Sequence, residues 1–113
     1  MNNTIIVAPG VDCSKPGIYR WDIEGAGVYI GKYRSISRPT KQYARNVRRL
    51  RAGLPYHIKG SDYRRVHKAL AEADANGKRI VLTILANAKL ADLNQVEQEY
   101  IRWERANLNG PAT

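Results

Sequence analysis

Apolar and polar positions change period several times along the chain, and each change marks an element. A short apolar run, Ile5-Ile6-Val7, is stopped by Pro9-Gly10, so residues 1–15 read as an N-terminal arm or short strand. Ile18, Tyr19, Trp21 and Ile23 form a β-prone run and Val28-Tyr29-Ile30 another, with Glu24-Gly25-Ala26-Gly27 between them. That pattern is a hairpin. A three-residue loop, Gly25-Ala26-Gly27, pairs Glu24 with Val28 and sets Tyr19 and Tyr29 on one face, with Gly27 in the left-handed region.

Helical periods follow. Pro39 suits a first helical position, and Tyr43, Val47 and Leu50 recur on one stripe until Gly53 and Pro55 end the helix near Ala52. Arg38, Arg45 and Arg49 fall together beside that stripe. Ser61 or Asp62 is the expected cap of a second helix burying Tyr63, Val66 and Leu70 and ending at Asn76-Gly77. Arg79 to Leu85 is β-branched and apolar, as an interior strand is. Asp92 with Gln95 resembles a capping box for a last helix, whose apolar arc is Leu93, Val96, Tyr100, Ile101 and Trp103.

Composition adds charge to this picture. The chain of 113 residues carries a net charge of +9, and twelve Lys or Arg stand against one acid, Asp62, between Lys32 and Lys68. An excess of that size suits a polyanion, nucleic acid first among them. No run of about 18 apolar residues predicts a membrane span, and no secretory leader opens the chain. With Cys13 alone, no internal disulfide is expected, in keeping with a cytoplasmic location.

Candidate chemistry is sparse. Glu97 lies inside the apolar arc of the last helix, where a carboxylate needs a cation or hydrogen bonds to offset desolvation. A metal ion and an arginine of the first helix are equal candidates for that partner. Glu99 lies outside the arc as a solvated charge, and Glu104 projects into it near the helix end. His57 and His67 have no Cys, Asp or Glu at ligand spacing and read as structural or phosphate-contacting. No G-x-S-x-G, G-x-G-x-x-G or Walker pattern occurs.

The two tripeptides Gly17-Ile18-Tyr19 and Tyr29-Ile30-Gly31 resemble the defining motif of the GIY-YIG nucleases. The order of elements around them is similar too, over residues 16–110, with 111–113 as a tail. The resemblance implies an α+β fold: a three-stranded antiparallel sheet flanked by three helices, in the order β-β-α-α-β-α. It implies a divalent-metal-dependent endonuclease, using Mg²⁺ or Mn²⁺, that hydrolyses phosphodiester bonds in DNA. Tyr19 would help deprotonate the attacking water, and Tyr29 would position nucleophile or phosphate. Lys32 would lower the tyrosine's pKa or hold a phosphate. Glu97, four residues before Ile101, would hold the metal, and Asn109 matches the family's late asparagine, with Asn107 the alternative.

Two features depart from the family pattern. Gln42 and Asn46 stand where many members carry Arg and then His or Tyr, so Arg38 or Arg45 would supply the cation, Arg38 being nearer the hairpin. Ala106 stands where a proline often precedes the late asparagine. Lys41, Arg48, Arg49, Arg64 and Arg65 would hold the DNA backbone with little sequence information. Specificity would come from DNA structure, a homodimer or a partner protein, in a cytoplasmic, nucleoid-associated setting. The alternatives are a nucleic-acid-binding module on the same fold that no longer cuts, and a basic scaffold of a ribonucleoprotein.

Overall fold

The computed structural model describes residues 1–110; the expected tail at 111–113 lies outside them. Four strands form one sheet: β1 (Thr4–Val7), β2 (Gly17–Ile23), β3 (Gly27–Tyr33) and β4 (Ile80–Asn87), in the order β1-β4-β2-β3. The expected class, α+β, is found, but the sheet is four-stranded and mixed where a three-stranded antiparallel one was expected. The difference is β1, whose apolar run pairs parallel with β4, Thr4 opposite Val81 through Val7 opposite Ile84.

The hairpin register also differs by one step. Ile23 pairs with Gly27 and Asp22 with Val28, so the loop is Glu24-Gly25-Ala26. Glu24 is drawn to the neighbouring strand: its N–H donates to the Arg79 carbonyl at 2.9 Å. Its Oε1 accepts the Arg79 N–H at 2.8 Å. The Ala26 N–H closes the turn on the Ile23 carbonyl, and Gly25, at φ +82°, takes the left-handed position expected of Gly27, which sits at φ +131°. The loop remains odd, so Tyr19 and Tyr29 still share a face, diagonal to one another with ring centroids 6.4 Å apart.

Helices cover both faces of the sheet. A wide turn, Arg38–Gln42, closed by the Tyr43 N–H on the Arg38 carbonyl, leads into α1 (Tyr43–Arg51). α2 spans Arg65–Ala75. Tyr43 and Val47 of α1 and Val66 and Leu70 of α2 pack on Tyr19, Trp21 and Ile23, with Ile80, Leu82 and Ile84 of β4 in the same core. On the opposite face, α3 (Leu93–Trp103) lays Leu93 with Ala106 on Ile18 and Ile30, so alternate residues of one strand serve two cores.

Three local expectations are corrected. α2 starts at Arg65 rather than beside Ser61 or Asp62, because Arg64 stays extended (ψ 161°) and its N–H is capped by His67 Nδ1 at 3.1 Å. Asp92 does precede α3, after a 3₁₀ turn at Leu90–Asp92, but its side chain makes no capping bond. Trp103, assigned to the apolar arc, is 69% exposed. At the end of α3 the chain reverses through Arg105 (φ +49°), and Ala106 and Leu108 fill the buried space instead.

Candidate active site

The two motif glycines are set by steric fit. Gly31 lies opposite Tyr19 and Gly17 opposite Tyr33 across the hairpin. A Cβ at Gly31 would run into the Tyr19 ring, and one at Gly17 would come within 2.7 Å of the Tyr33 hydroxyl and closer still to the Ala86 carbonyl. Each glycine therefore seats an aromatic ring, a cross-strand arrangement that leaves no room for any other residue. Ile18 and Ile30 are fully buried on the α3 face and anchor the same strands from behind.

β3 is an edge strand, and its outer edge is held by the segment after α3. Asn109 accepts the Ile30 N–H at 2.7 Å and donates to the Ile30 carbonyl at 2.6 Å. Asn107 accepts the Val28 N–H at 2.8 Å and donates to the Ala26 carbonyl at 2.9 Å. The Leu108 N–H donates to the Val28 carbonyl between them. Both asparagines spend their amides on the backbone of β3 and the turn before it, so Asn109 supports the strand that carries Tyr29 and does not line the cleft.

Beyond this clip, around the far end of β3, opens a cleft of about 590 Å³. Tyr19, Tyr29 and Tyr33 line one wall; Leu93, Asn94 and Glu97 of α3 line another; Arg38, Gln42 and Arg64 close a third, with Lys32 and Arg34 at the strand end. The hairpin, the turn before α1, the residue before α2 and α3 thus meet in one place. Four cations face one carboxylate there.

Tyr19 is 1% exposed, and its hydroxyl donates to the Tyr43 hydroxyl at 2.7 Å. Burial, together with the nearby Tyr29 phenol, pushes the Tyr19 pKa well above the usual range for a phenol; Arg38 and Arg64 oppose that shift. Tyr43, also buried, is raised chiefly by desolvation. Tyr29 is only half-buried and borders the cleft together with Arg64. Of the two motif tyrosines, Tyr29 is the one open to the cleft.

Lys32, expected to lower the tyrosine's pKa or to hold a phosphate, lines the cleft. Its side chain turns toward α3, with Nζ 4.0 Å from Glu97 Oε1 and a hydrogen bond to Asn94. The Glu97 side chain is 15% exposed. Desolvation raises its pKa, against the pull of Lys32 and Arg64. No arginine of α1 pairs with this carboxylate among the described residues; the cation at hand is Lys32.

Arg38 lies on the cleft, 5.9 Å above the Tyr43 ring and within 3.4 Å of Gln42 Oε1. Arg45 is exposed and does not line the cleft. Among the residues assigned to the DNA backbone, Lys41 and Arg48 are exposed on the first helical segment. Arg49 donates to the Pro55 carbonyl at 3.2 Å, and Arg65 donates to the Asn107 carbonyl at 3.3 Å.

Arg64 is the site residue whose place the hydrophobic pattern did not reveal. Its place on the cleft depends on α2 starting only at Arg65, and the signal for that is His67 at the third helical position. His67 is 2% exposed and does not reach phosphate; burial and the neighbouring Arg64 depress its pKa to about 4. With Nδ1 accepting from Arg64, Nε2 carries the proton and faces the Asn46 amide at 3.4 Å. Asn46 Oδ1 has no other partner, so turning that amide over would let it accept from His67.

Among the described residues no three His, Cys, Asp or Glu side chains come together. An all-protein metal cage is therefore absent from the cleft. A single carboxylate beside open space does fit Mg²⁺, which keeps several waters and binds through one or two carboxylates plus phosphate oxygens. No helix is long and apolar enough to cross a membrane. Scans against protein-family models, curated proteins and solved structures found no match to this chain.

Proposed function

We propose that the protein is a divalent-metal-dependent endonuclease of the GIY-YIG type, hydrolysing phosphodiester bonds in DNA. The observation that carries this reading is the cleft, where Tyr29, Arg38, Arg64, Lys32 and Glu97 from four separate elements border one space. Phosphodiester hydrolysis needs a deprotonated water, neutralised charge on the non-bridging oxygens and a stabilised leaving oxygen.

Arg38 and Arg64 supply two guanidinium forks for the phosphate oxygens. Tyr29 borders the same cleft and is less buried than Tyr19, which makes it the better placed proton acceptor. Tyr19, buried and bonded to Tyr43, fixes the position of the phenol cluster. Asn109 holds the Tyr29 strand in register. Glu97, with Asn94 beside it, would hold Mg²⁺ or Mn²⁺, which when bound supplies Lewis-acid stabilisation of the phosphate and the departing oxygen. Lys32 then serves as the resting counter-charge of Glu97. Lys41, Arg48 and Arg65 extend the positive surface along the backbone of the DNA.

One observation favours a second reading, a module that binds DNA without cutting it: the burial of Tyr19, which makes its phenolate costly. The deciding experiment is Mg²⁺-dependent nicking of plasmid DNA by the wild type and by Glu97→Ala, with binding followed in parallel by fluorescence anisotropy. Nicking lost in Glu97→Ala with binding kept is the expected result. Nicking that survives Glu97→Ala refutes the proposed role of Glu97. Binding by a wild type that cuts neither DNA nor RNA with Mg²⁺ or Mn²⁺ establishes the second reading.

A further inference from the structure

The two edges of the sheet are finished differently. The β3 edge is sealed by Asn107, Leu108 and Asn109, as described above. The β1 edge is bare: β1 pairs only with β4, and no hydrogen bond among the described residues engages its outer side. Its side chains are bare as well. Ile5 is 52% exposed, Ile6 46% and Val7 46%, and because neighbours on a strand point to opposite faces, apolar surface is left open on both sides of the sheet.

Natural edge strands are usually protected by a lysine, a proline, an inward charge or a covering segment. Apart from its length of four residues, Thr4-Ile5-Ile6-Val7 has none of these protections, while the opposite edge of the same sheet is covered. Charge also distinguishes this segment, which Asp74, Lys78 and Arg79 border at Thr4. In a chain of net charge +9, residues 1–14 contain a single charged side chain, Asp12. Strand order puts β1 as far across the sheet as possible from the cationic cleft at β3.

We infer that β1 is a homodimer interface, pairing antiparallel with β1 of a second copy across a two-fold axis. The occupant is a second copy for three reasons. A short uncharged strand paired antiparallel with itself is self-complementary, so one patch suffices for both partners. The low charge of residues 1–14 lets two strongly cationic chains approach there and nowhere near their clefts. Pairing also consumes the last open edge: each outer edge of the joined eight-stranded sheet is a sealed β3. Assembly therefore stops at two. A peptide from another protein would satisfy the first opening but draws on neither the symmetry nor the closure. This inference is independent of the nuclease reading.

The test is mass in solution. Sedimentation velocity over a dilution series through the micromolar range should show the wild type moving from a dimer to the 12.7 kDa monomer. Ile5→Lys and Ile6→Lys each place like charges near one another across the axis and should raise the dissociation constant about tenfold or more. Hydrogen exchange on the unaltered protein gives a second measurement that does not depend on a variant folding. Amide protection within Thr4–Val7 should rise with protein concentration. A wild type that stays monomeric, dimers that persist in both lysine variants, growth beyond two copies, or concentration-independent protection of β1 each overturns the inference.

Discussion

Replacing Gly31 by alanine tests whether this motif glycine is a seat for an aromatic ring. Gly31 is not among the positive-φ residues, so its backbone accepts alanine without strain. The cost comes from volume. The new Cβ would overlap Cζ and the hydroxyl of Tyr19 and lie 2.7 Å from Cε1. The ring has nowhere to go: it is 1% exposed and packed against Tyr43 at 5.7 Å and against Tyr29 and Tyr33 at 6.4 Å. Overpacking of this kind costs about 1–3 kcal/mol. A displaced ring also breaks the Tyr19–Tyr43 hydrogen bond and strands two buried hydroxyls, about 1–3 kcal/mol more. Together about 2–6 kcal/mol is expected, a fall in melting temperature of about 8–24 °C for a chain of this size. Thermal unfolding by circular dichroism measures it, with Gly110→Ala as control, since that glycine is not in the left-handed region and has no atom within 4 Å of a new Cβ. In a Tyr19→Ala background the same Gly31→Ala change should cost little, because the clash is gone. A Gly31→Ala protein that melts within about 2 °C of wild type would falsify the reasoning.

Three further outcomes follow from the geometry. Arg64→Ala should cut nicking about a hundredfold or more while Arg45→Ala leaves it within about threefold, measured on plasmid at fixed salt; equal losses would remove Arg64 from the site. Asn109→Ala frees the N–H and carbonyl of Ile30 and should destabilise by about 1–3 kcal/mol in urea. Faster exchange of the Ile30 amide should accompany that loss, and an unchanged rate there argues against the clip. His67 is neutral in the folded chain down to about pH 4 but takes up a proton near pH 6.5 once unfolded. Its contribution is therefore complete above pH 6.5 and is lost as pH falls toward 4, by up to about 1.4 kcal/mol per pH unit. Glu97, raised by burial, acts in the opposite sense, so the His67 effect is read as the difference between wild type and His67→Gln in urea midpoints across that window. Parallel pH profiles would show that His67 does not carry it.

The sequence was informative where local pattern and global fold agree. Tyr43 and Val47 lie on the buried stripe of α1 that their spacing indicates, and Gly53, at φ +74°, follows its last turn. An odd hairpin loop was needed to put two tyrosines on one face, and the loop is odd. Its register depended on Arg79, some 55 residues away, which takes both the N–H and the carboxylate of Glu24. Local turn chemistry contains no record of that partner. The same holds for β1, an ambiguous apolar run until β4 is beside it, and for Trp103, displaced from the core by residues that come after a reversal at Arg105. In the cleft, Glu97 stood out as a carboxylate among apolar neighbours. Arg64 did not, because its place depends on where α2 begins, and His67 is not a residue that a capping pattern looks for.

The ends of the sheet have a kinetic meaning. Val28 and Ile30 are held by residues 79 positions later, and β1 joins β4 across a comparable stretch of chain. Contacts of such long range must pay loop closure before they give anything back, which slows folding relative to helical chains of equal length. The hairpin can form early and alone, but the strand bearing Tyr29 gains its outer support only after α3 has docked. The cleft is therefore assembled late, and a partly folded chain carries the two tripeptides without the groups that converge on them.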